Sequence, residues 1–273
     1  MSDFQSAAHR PFVVVPCFNE EKRLNIDAFI QLARTKQINL VFVNDGSSDR
    51  TLEILRMIQE PSLFVIVEAL TSNLGKGEAV RHGLNVAVSR GAEIVGYFDA
   101  DLATPINELI RLINEIEENS TLNGVFGSRI RHLGAQIDRN PVRHYVGRIY
   151  GTLAALVLGV QIYDTQCGAK VFRVSETFRE AISKPFRSNW SFDVVLLDRI
   201  INTPNPSQRL SIDSFLELPL KQWRDVEGST VRVRPALCAF ADLVRIRVRR
   251  HLIVRKHANN QRDRDLASRE TVV

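Results

Sequence analysis

Cysteine is scarce in this 273-residue chain: Cys17, Cys167 and Cys238 are far apart and odd in number. That argues against a disulfide framework or a cysteine-built zinc site and fits a reducing cytosol. Long apolar runs are missing too. The nearest, Leu153 to Val160, is about half the ~20 residues a spanning helix needs. Met1 to Arg10 is polar, without the basic-then-apolar pattern of a secretory leader. The expectation is a cytoplasmic protein that meets a membrane only from its surface. No Gly-x-Gly-x-x-Gly follows the first apolar strand, which disfavours a dinucleotide-binding Rossmann unit, and the absence of Gly-x4-Gly-Lys-Ser/Thr removes a P-loop.

What is present is an ordinary globular composition, 44% hydrophobic and 25% charged, which excludes wholesale disorder. The net charge of +5 is unevenly spread. Arg129, Arg131, Arg139, Arg143 and Arg148 crowd one segment with His132 and His144; Arg245, Arg247, Arg249, Arg250, Arg255 and Lys256 crowd another. Such clusters suit phosphates, anionic head groups or nucleic acid; the plainer alternative is a solvated basic face.

Apolar runs alternate with helical spacing through the first 130 residues. Strands are expected at Phe12–Val15 (stopped by Pro16), Asn39–Val43, Leu63–Val67, Ile94–Phe98 and Gly124–Gly127. Helices are expected at Leu24–Ala33, at Asp49–Ile58 with Ser48 as N-cap, at Gly77–Ser89, and from Pro105 to Glu117. This β-α alternation predicts an α/β fold with a mainly parallel sheet between helices. Residues 129–148 read as a mobile basic loop, Val146–Ile162 as an apolar helix, Ala169–Arg173 as a strand, Phe192–Ile201 as a helix and Phe215–Leu220 as a strand. The domain reading is one unit over 1–235, with an acceptor-side loop and helix at about 129–162, a basic amphipathic helix at 236–256 and a disordered tail at 257–273.

The chemistry collects where strands end. Tyr97-Phe98-Asp99-Ala100-Asp101 closes an apolar run with two aspartates. Alternating side chains can aim both carboxylates one way, and their repulsion is relieved by a hard divalent ion completed by substrate phosphates. The alternative is a pair of solvated aspartates with Asp101 capping the next helix. Pro16-Cys17-Phe18-Asn19-Glu20, Asn44-Asp45-Gly46-Ser47-Ser48-Asp49 and Asn73-Leu74-Gly75-Lys76-Gly77 bring polar, acidic and glycine-rich segments toward the same rim, where open α/β sheets bind ligands.

Together these segments resemble the inverting family-2 glycosyltransferases of GT-A fold. Phe126-Gly127-Ser128-Arg129, Asp164-Thr165-Gln166-Cys167-Gly168, Trp190-Ser191-Phe192-Asp193 and Trp223-Arg224-Asp225-Val226-Glu227-Gly228-Ser229 are similar to the dolichyl- and polyprenyl-phosphate hexosyltransferases, above all the dolichyl-phosphate glucosyl branch. The resemblance spans residues 11 to about 233. It implies that Pro16, Phe18, Glu20, Asp45, Lys76 and Ala100 contact the nucleotide-sugar, that Asp99 and Asp101 hold Mg2+ or Mn2+, and that Arg129 and Arg224 contact phosphates. Asp164 and Gln166 are expected at the sugar or acceptor. Asp193 reads either as a base or as a buried structural carboxylate. Two positions depart from the mannosyl relatives, Ala103 where they carry Gln and Thr230 where they carry a phosphate-binding Lys that Arg232 can replace, and one from the family, Asn44 at the first aspartate of Asp-Asp-Gly-Ser.

The implied reaction is transfer of a hexose, with UDP-glucose the favoured donor, to a polyprenyl phosphate at the membrane surface, without nucleic acid and with a homodimer or membrane-protein partner as an open arrangement. The rival reading is a GT-A enzyme using a hydroxyl acceptor. A hydroxyl must lose a proton during attack, whereas a lipid phosphate is already ionised and needs steering and charge compensation. The apolar helix near 146–162 and the basic helix near 236–254 are expected to dock on lipid, the second through Leu237, Phe240, Leu243 and Val244; the plainer alternative for the basic helix is a core-packed or dimer-forming element with a solvated basic face.

Overall fold

The computed structural model describes residues 10–34, 38–60, 63–188, 190–226 and 238–250. Valine- and phenylalanine-rich runs form β1 (Phe12–Cys17), β2 (Asn39–Asn44), β3 (Val65–Ala69) and β4 (Ile94–Phe98), followed in turn by α1 (Ile26–Arg34), α2 (Thr51–Gln59), α3 (Lys76–Ser89) and α4 (Ile106–Glu118). The second half holds β5 (Gly124–Ser128), β6 (Gln136–Asp138), α5 (Pro141–Leu158), β7 (Ala169–Arg173), α6 (Glu176–Ser183), α7 (Phe192–Ile201), β8 (Phe215–Pro219) and β9 (Gln222–Arg224). A last helix, α8, covers residues 238–250.

Seven strands form one sheet in the order β3-β2-β1-β4-β7-β5-β8, parallel except for β7, which runs antiparallel to both neighbours. Both faces are covered, which is why β1 and the Leu40–Val43 run of β2 are apolar at successive positions rather than at alternate ones. In β1, Val14 joins the core under α3, α5, α7 and α8, while Val13 and Val15 join the core under α1, α2 and α4. The chain winds outward from β1 through β2 to β3 and then crosses to β4 on β1's other side. That reversal opens a crevice beyond the carboxyl ends of β1 and β4.

Several elements differ from the sequence reading. Pro16 continues β1 instead of stopping it: pairing with β4 ends at Val14 and only β2 flanks Pro16, so a residue without an N–H is tolerated there. Ser48 does not cap α2. The helix starts at Thr51 after Arg50, which makes no side-chain cap bond, and Asp49 accepts from Thr51 N at 3.0 Å and Thr51 Oγ1 at 2.5 Å. Residues 129–148 are not one long loop. Gln136–Asp138 pairs in register with Gln222–Arg224, and α5 begins at Pro141. Each strand of this two-stranded sheet is only three residues long and depends on a distant partner, which local periodicity does not reveal.

The face of α8 expected to meet lipid is turned inward instead. Leu243 lies in the core with Ala239 and Ile246, because α5 and α7 offer it apolar surface, and Phe240 packs edge-on against Tyr150. Val244 is exposed. Leu237 and the whole 257–273 tail lie outside the described residues. By contrast, α5 shows solvent an apolar stripe of Val142, Tyr145, Ile149, Leu153 and Leu156, three or four residues apart and so on one side of the helix. Arg250 ties α8 alongside it, donating to the carbonyls of Val157 and Leu158. Among the described residues no helix is long and apolar enough to cross a membrane.

Candidate active site

The loops leaving β1 and β2 are laced together. Asn19, at φ 53°, accepts from Ser48 N at 2.9 Å, and its own N–H reaches Ser47 Oγ at 3.0 Å; Glu20 N donates to Thr51 Oγ1 at 2.8 Å. Asp45 is buried, and its two oxygens accept from Leu74 N at 2.7 Å and Gly75 N at 2.8 Å. It thereby fixes the turn that begins α3. Gly46, at φ 63°, sits against that turn, where a Cβ would lie 2.5 Å from the Ser72 carbonyl carbon; only glycine fits.

That turn delivers Lys76 to the end of β4. Its ammonium lies 2.5 Å from Asp99 Oδ1. Burial alone would depress the Lys76 amine, but the Asp99 carboxylate outweighs it and holds the amine above its ordinary value. On the other side the Gly168 backbone lies so close to the Asp99 carboxylate that any side chain there would collide with it. Asp101 accepts from Ala103 N at 3.0 Å within its own loop and does not cap α4, which begins at Ile106 after Pro105 with no side-chain cap. Burial, and then the like charge of Asp99, push the Asp101 carboxyl upward. Burial also raises Glu20, with Arg23 opposing at 2.8 Å and Asp101 and Asp99 adding to the rise. Glu20 Oε2 is buried with no hydrogen-bond partner.

No group of three or more His, Cys, Asp or Glu among the described residues is spaced to hold an ion unaided. The donor chemistry nevertheless fits a hard divalent cation. Two carboxylates in repulsion supply oxygen ligands, and Mg2+-like ions take the remainder from water and substrate phosphates.

The end of β5, strand β8 and the loop carrying Asp164 converge on a second group. Arg129, at the end of β5, grips Asp164 in a fork, Nε to Oδ2 at 2.6 Å and Nη2 to Oδ1 at 2.8 Å. Burial would lower the Arg129 guanidinium, but Asp164 raises it; burial would raise Asp164, but Arg129 drives it well below the usual carboxylate range. Glu217 of β8 in turn accepts from Tyr163 N at 2.7 Å and Asp164 N at 2.6 Å. Gln166 donates to the Trp190 carbonyl at 3.0 Å. Around this pair the positive charge is in excess. Arg139 is depressed by burial and then by Arg129, and His144 by burial and then by Arg139, Arg131 and Arg148. His144 Nδ1 is buried without a hydrogen-bond partner.

Arg224 is exposed on β9, and its backbone N donates to Ala103 O at 3.1 Å, so β9 rests on the loop carrying Asp101. Phe18 is exposed beside the β1 end and Ala100 is buried. Asp193 is buried, and its charge adds to that of Asp99 in raising Lys76. At the start of α7 it accepts from Tyr97 Oη and, at 3.0 Å, from Lys170 Nζ, which also donates to the Cys167 carbonyl at 2.6 Å. Of its two sequence readings, this is the surrounding of a structural carboxylate. Thr230 and Arg232 lie outside the described residues.

Sequence reasoning missed Lys170, Tyr97 and Glu217. For Lys170 and Glu217 the signal was a charged residue inside an apolar strand run, Ala-Lys-Val-Phe and Phe-Leu-Glu-Leu, since such residues are buried only when paired.

Comparison with known proteins agrees with this architecture. Residues 12–177 match the model of glycosyl transferase family 2. The chain is 32% identical over 251 residues to a dolichyl-phosphate beta-glucosyltransferase (ALG5A) of Trichomonas vaginalis, covering 86% of this chain and 72% of the relative. It is 30% identical over 241 residues to the dolichyl-phosphate beta-glucosyltransferase of Homo sapiens, covering 80% and 68%. Among solved structures, glucosyl-3-phosphoglycerate synthase of Mycobacterium tuberculosis, in complex with Mn2+, UDP-glucose and phosphoglyceric acid, superposes with a TM-score of 0.64. That match covers 91% of this chain and 83% of the synthase at 19% identity, a likeness of fold.

Proposed function

The chain belongs to glycosyl transferase family 2, and from that premise we propose that it transfers glucose from UDP-glucose to a dolichyl or other polyprenyl phosphate, with inversion at the sugar. The relatives' names support the acceptor and sugar, and the ligands of the mycobacterial fold neighbour make UDP-glucose and Mn2+ the first to try. One observation carries the choice of acceptor. The carboxylate that opens α7, Asp193, is engaged by Lys170 and Tyr97, while Arg139, Arg131 and Arg148 bring their positive charge together around His144. A hydroxyl acceptor needs a base; an ionised phosphate needs such a positive field.

In this reading Pro16, Phe18, Glu20 and Ala100 line the nucleoside, and Asp45 fixes the turn that brings Lys76 to the diphosphate. Asp99 and Asp101 would hold Mg2+ or Mn2+, which when bound offsets the charge growing on the departing diphosphate. The Arg129–Asp164 fork, Gln166 and Arg224 orient sugar and acceptor. An acceptor phosphate oxygen forms the new bond to C1 as the bond from C1 to the β-phosphate oxygen breaks, and UDP leaves with that electron pair. No proton has to move, because the phosphate is ionised near neutral pH.

An acceptor with a polyprenyl tail is met at a bilayer, and the exposed stripe of α5 is the surface proposed to meet it. The test is incubation with UDP-glucose, UDP-galactose and GDP-mannose, short polyprenyl phosphates and Mn2+, reading lipid products by mass spectrometry. Glucosyl polyprenyl phosphate is expected. Product from GDP-mannose alone, or only from a hydroxyl acceptor, would overturn the reading.

A further inference from the structure

Lys76 carries no role in bond breaking above, yet it lies in the middle of the carboxylate pair's field. Its ammonium pairs with Asp99 at 2.5 Å, and its side chain remains 44% exposed, so it is free to leave. Two carboxylates and one ammonium leave the rim with one net negative charge. Without the lysine they would present two, a stronger attraction for a free divalent ion. A nucleoside diphosphate arriving beside Lys76 offers the ammonium a better-charged partner, and each carboxylate oxygen it vacates becomes available.

We infer that Lys76 is an exchangeable counter-ion that couples the two ligands: it guards Asp99 while the site lacks nucleotide and passes to the diphosphate when nucleotide arrives, so that metal and nucleotide bind together and not the metal first. This rests on the metal–diphosphate reading of Asp99 and Asp101. The local structure suits the exchange. Lys76 is the first residue of α3, on a turn clamped by Asp45. Gly77 lets α3 approach α7, since a Cβ there would lie 2.7 Å from Phe192 Cβ. The backbone is therefore fixed while the side chain can swing. Coupling of this kind is reciprocal: whatever factor UDP adds to metal affinity, the metal adds to UDP affinity.

The experiment is Mn2+ binding followed by electron paramagnetic resonance, with and without saturating UDP, in the wild type, Lys76→Met and Lys76→Arg. The wild type is expected to bind Mn2+ at least tenfold more tightly with UDP. In Lys76→Met, Mn2+ alone should bind at least fivefold more tightly than in the wild type, and the UDP-induced gain should shrink at least fivefold. Lys76→Arg should keep most of the gain. An unchanged gain in Lys76→Met would overturn the counter-ion role while leaving the metal reading standing. A wild type that binds no Mn2+ even with UDP would overturn the metal reading itself. Lys76→Gln serves in place of the methionine variant if that protein fails to fold.

Discussion

The Lys170 ammonium and the Asp193 carboxylate meet 3.0 Å apart in the interior, Lys170 with no exposure to solvent. Tyr97 donates to the same carboxylate oxygen, so β4, β7 and α7 share one buried charge pair. Removing one partner leaves the other charge uncompensated, which costs about 3–5 kcal/mol. Lys170→Met and Asp193→Asn, each of which strands the other's buried charge, are therefore both expected to lower the denaturant midpoint sharply. If Asp193 were instead a catalytic base, Asp193→Asn would abolish turnover with an unchanged midpoint.

Asp101→Asn and Asp99→Asn each remove a charge from the proposed metal site. Loss of one electrostatic stabiliser of a developing charge costs about 10²–10³ in kcat. Both variants should fall at least that far and lose their response to added Mn2+. Because burial and then the like charge of Asp99 raise Asp101, Asp101→Asn should not reduce the melting temperature. Undiminished turnover in excess chelator would sink the metal requirement.

His144 reports the field of the arginines. Its folded value lies below the ordinary 6.5, so the folded protein takes up this proton less readily than the unfolded chain. Its contribution therefore favours folding above that pH and weakens it as pH falls. Arg139→Gln should move the His144 titration upward when followed by ring-proton NMR, as should an added polyprenyl phosphate analogue. An unmoved midpoint with the analogue would place the acceptor phosphate elsewhere.

The α5 stripe gives a membrane prediction. Wild-type protein should float with anionic vesicles at low salt and detach as salt rises. Ile149→Asp with Leu156→Asp, both on exposed positions, should leave the fold intact and abolish flotation. Equal flotation by the double variant would assign contact to another surface.

Much of this was legible in the residues. Ala169–Arg173 and Phe192–Ile201 form over the expected spans, because continuous apolar runs between polar breaks leave little choice. The convergence of the ends of β1, β2 and β4 followed from β-α alternation alone. What sequence could not reveal was which charges meet. The Arg129–Asp164 fork, the Lys170–Asp193 pair and the β6–β9 ladder join residues distant along the chain, and no periodicity encodes a partner. α6 was overlooked although Ser175, which accepts from Phe178 N, had announced its start.

The small β6–β9 sheet has a further consequence. Asn140 N donates to Asp225 Oδ2 just beyond it, and β9 itself leans on Ala103, so the stretch between Arg129 and α5 is strapped to the loop of Asp101. Conformational freedom that a loose segment would surrender on meeting its ligand is here given up during folding. Binding then has less disorder to overcome, and a cut in β9 would be felt as weakened affinity along the whole stretch that β9 straps through β6.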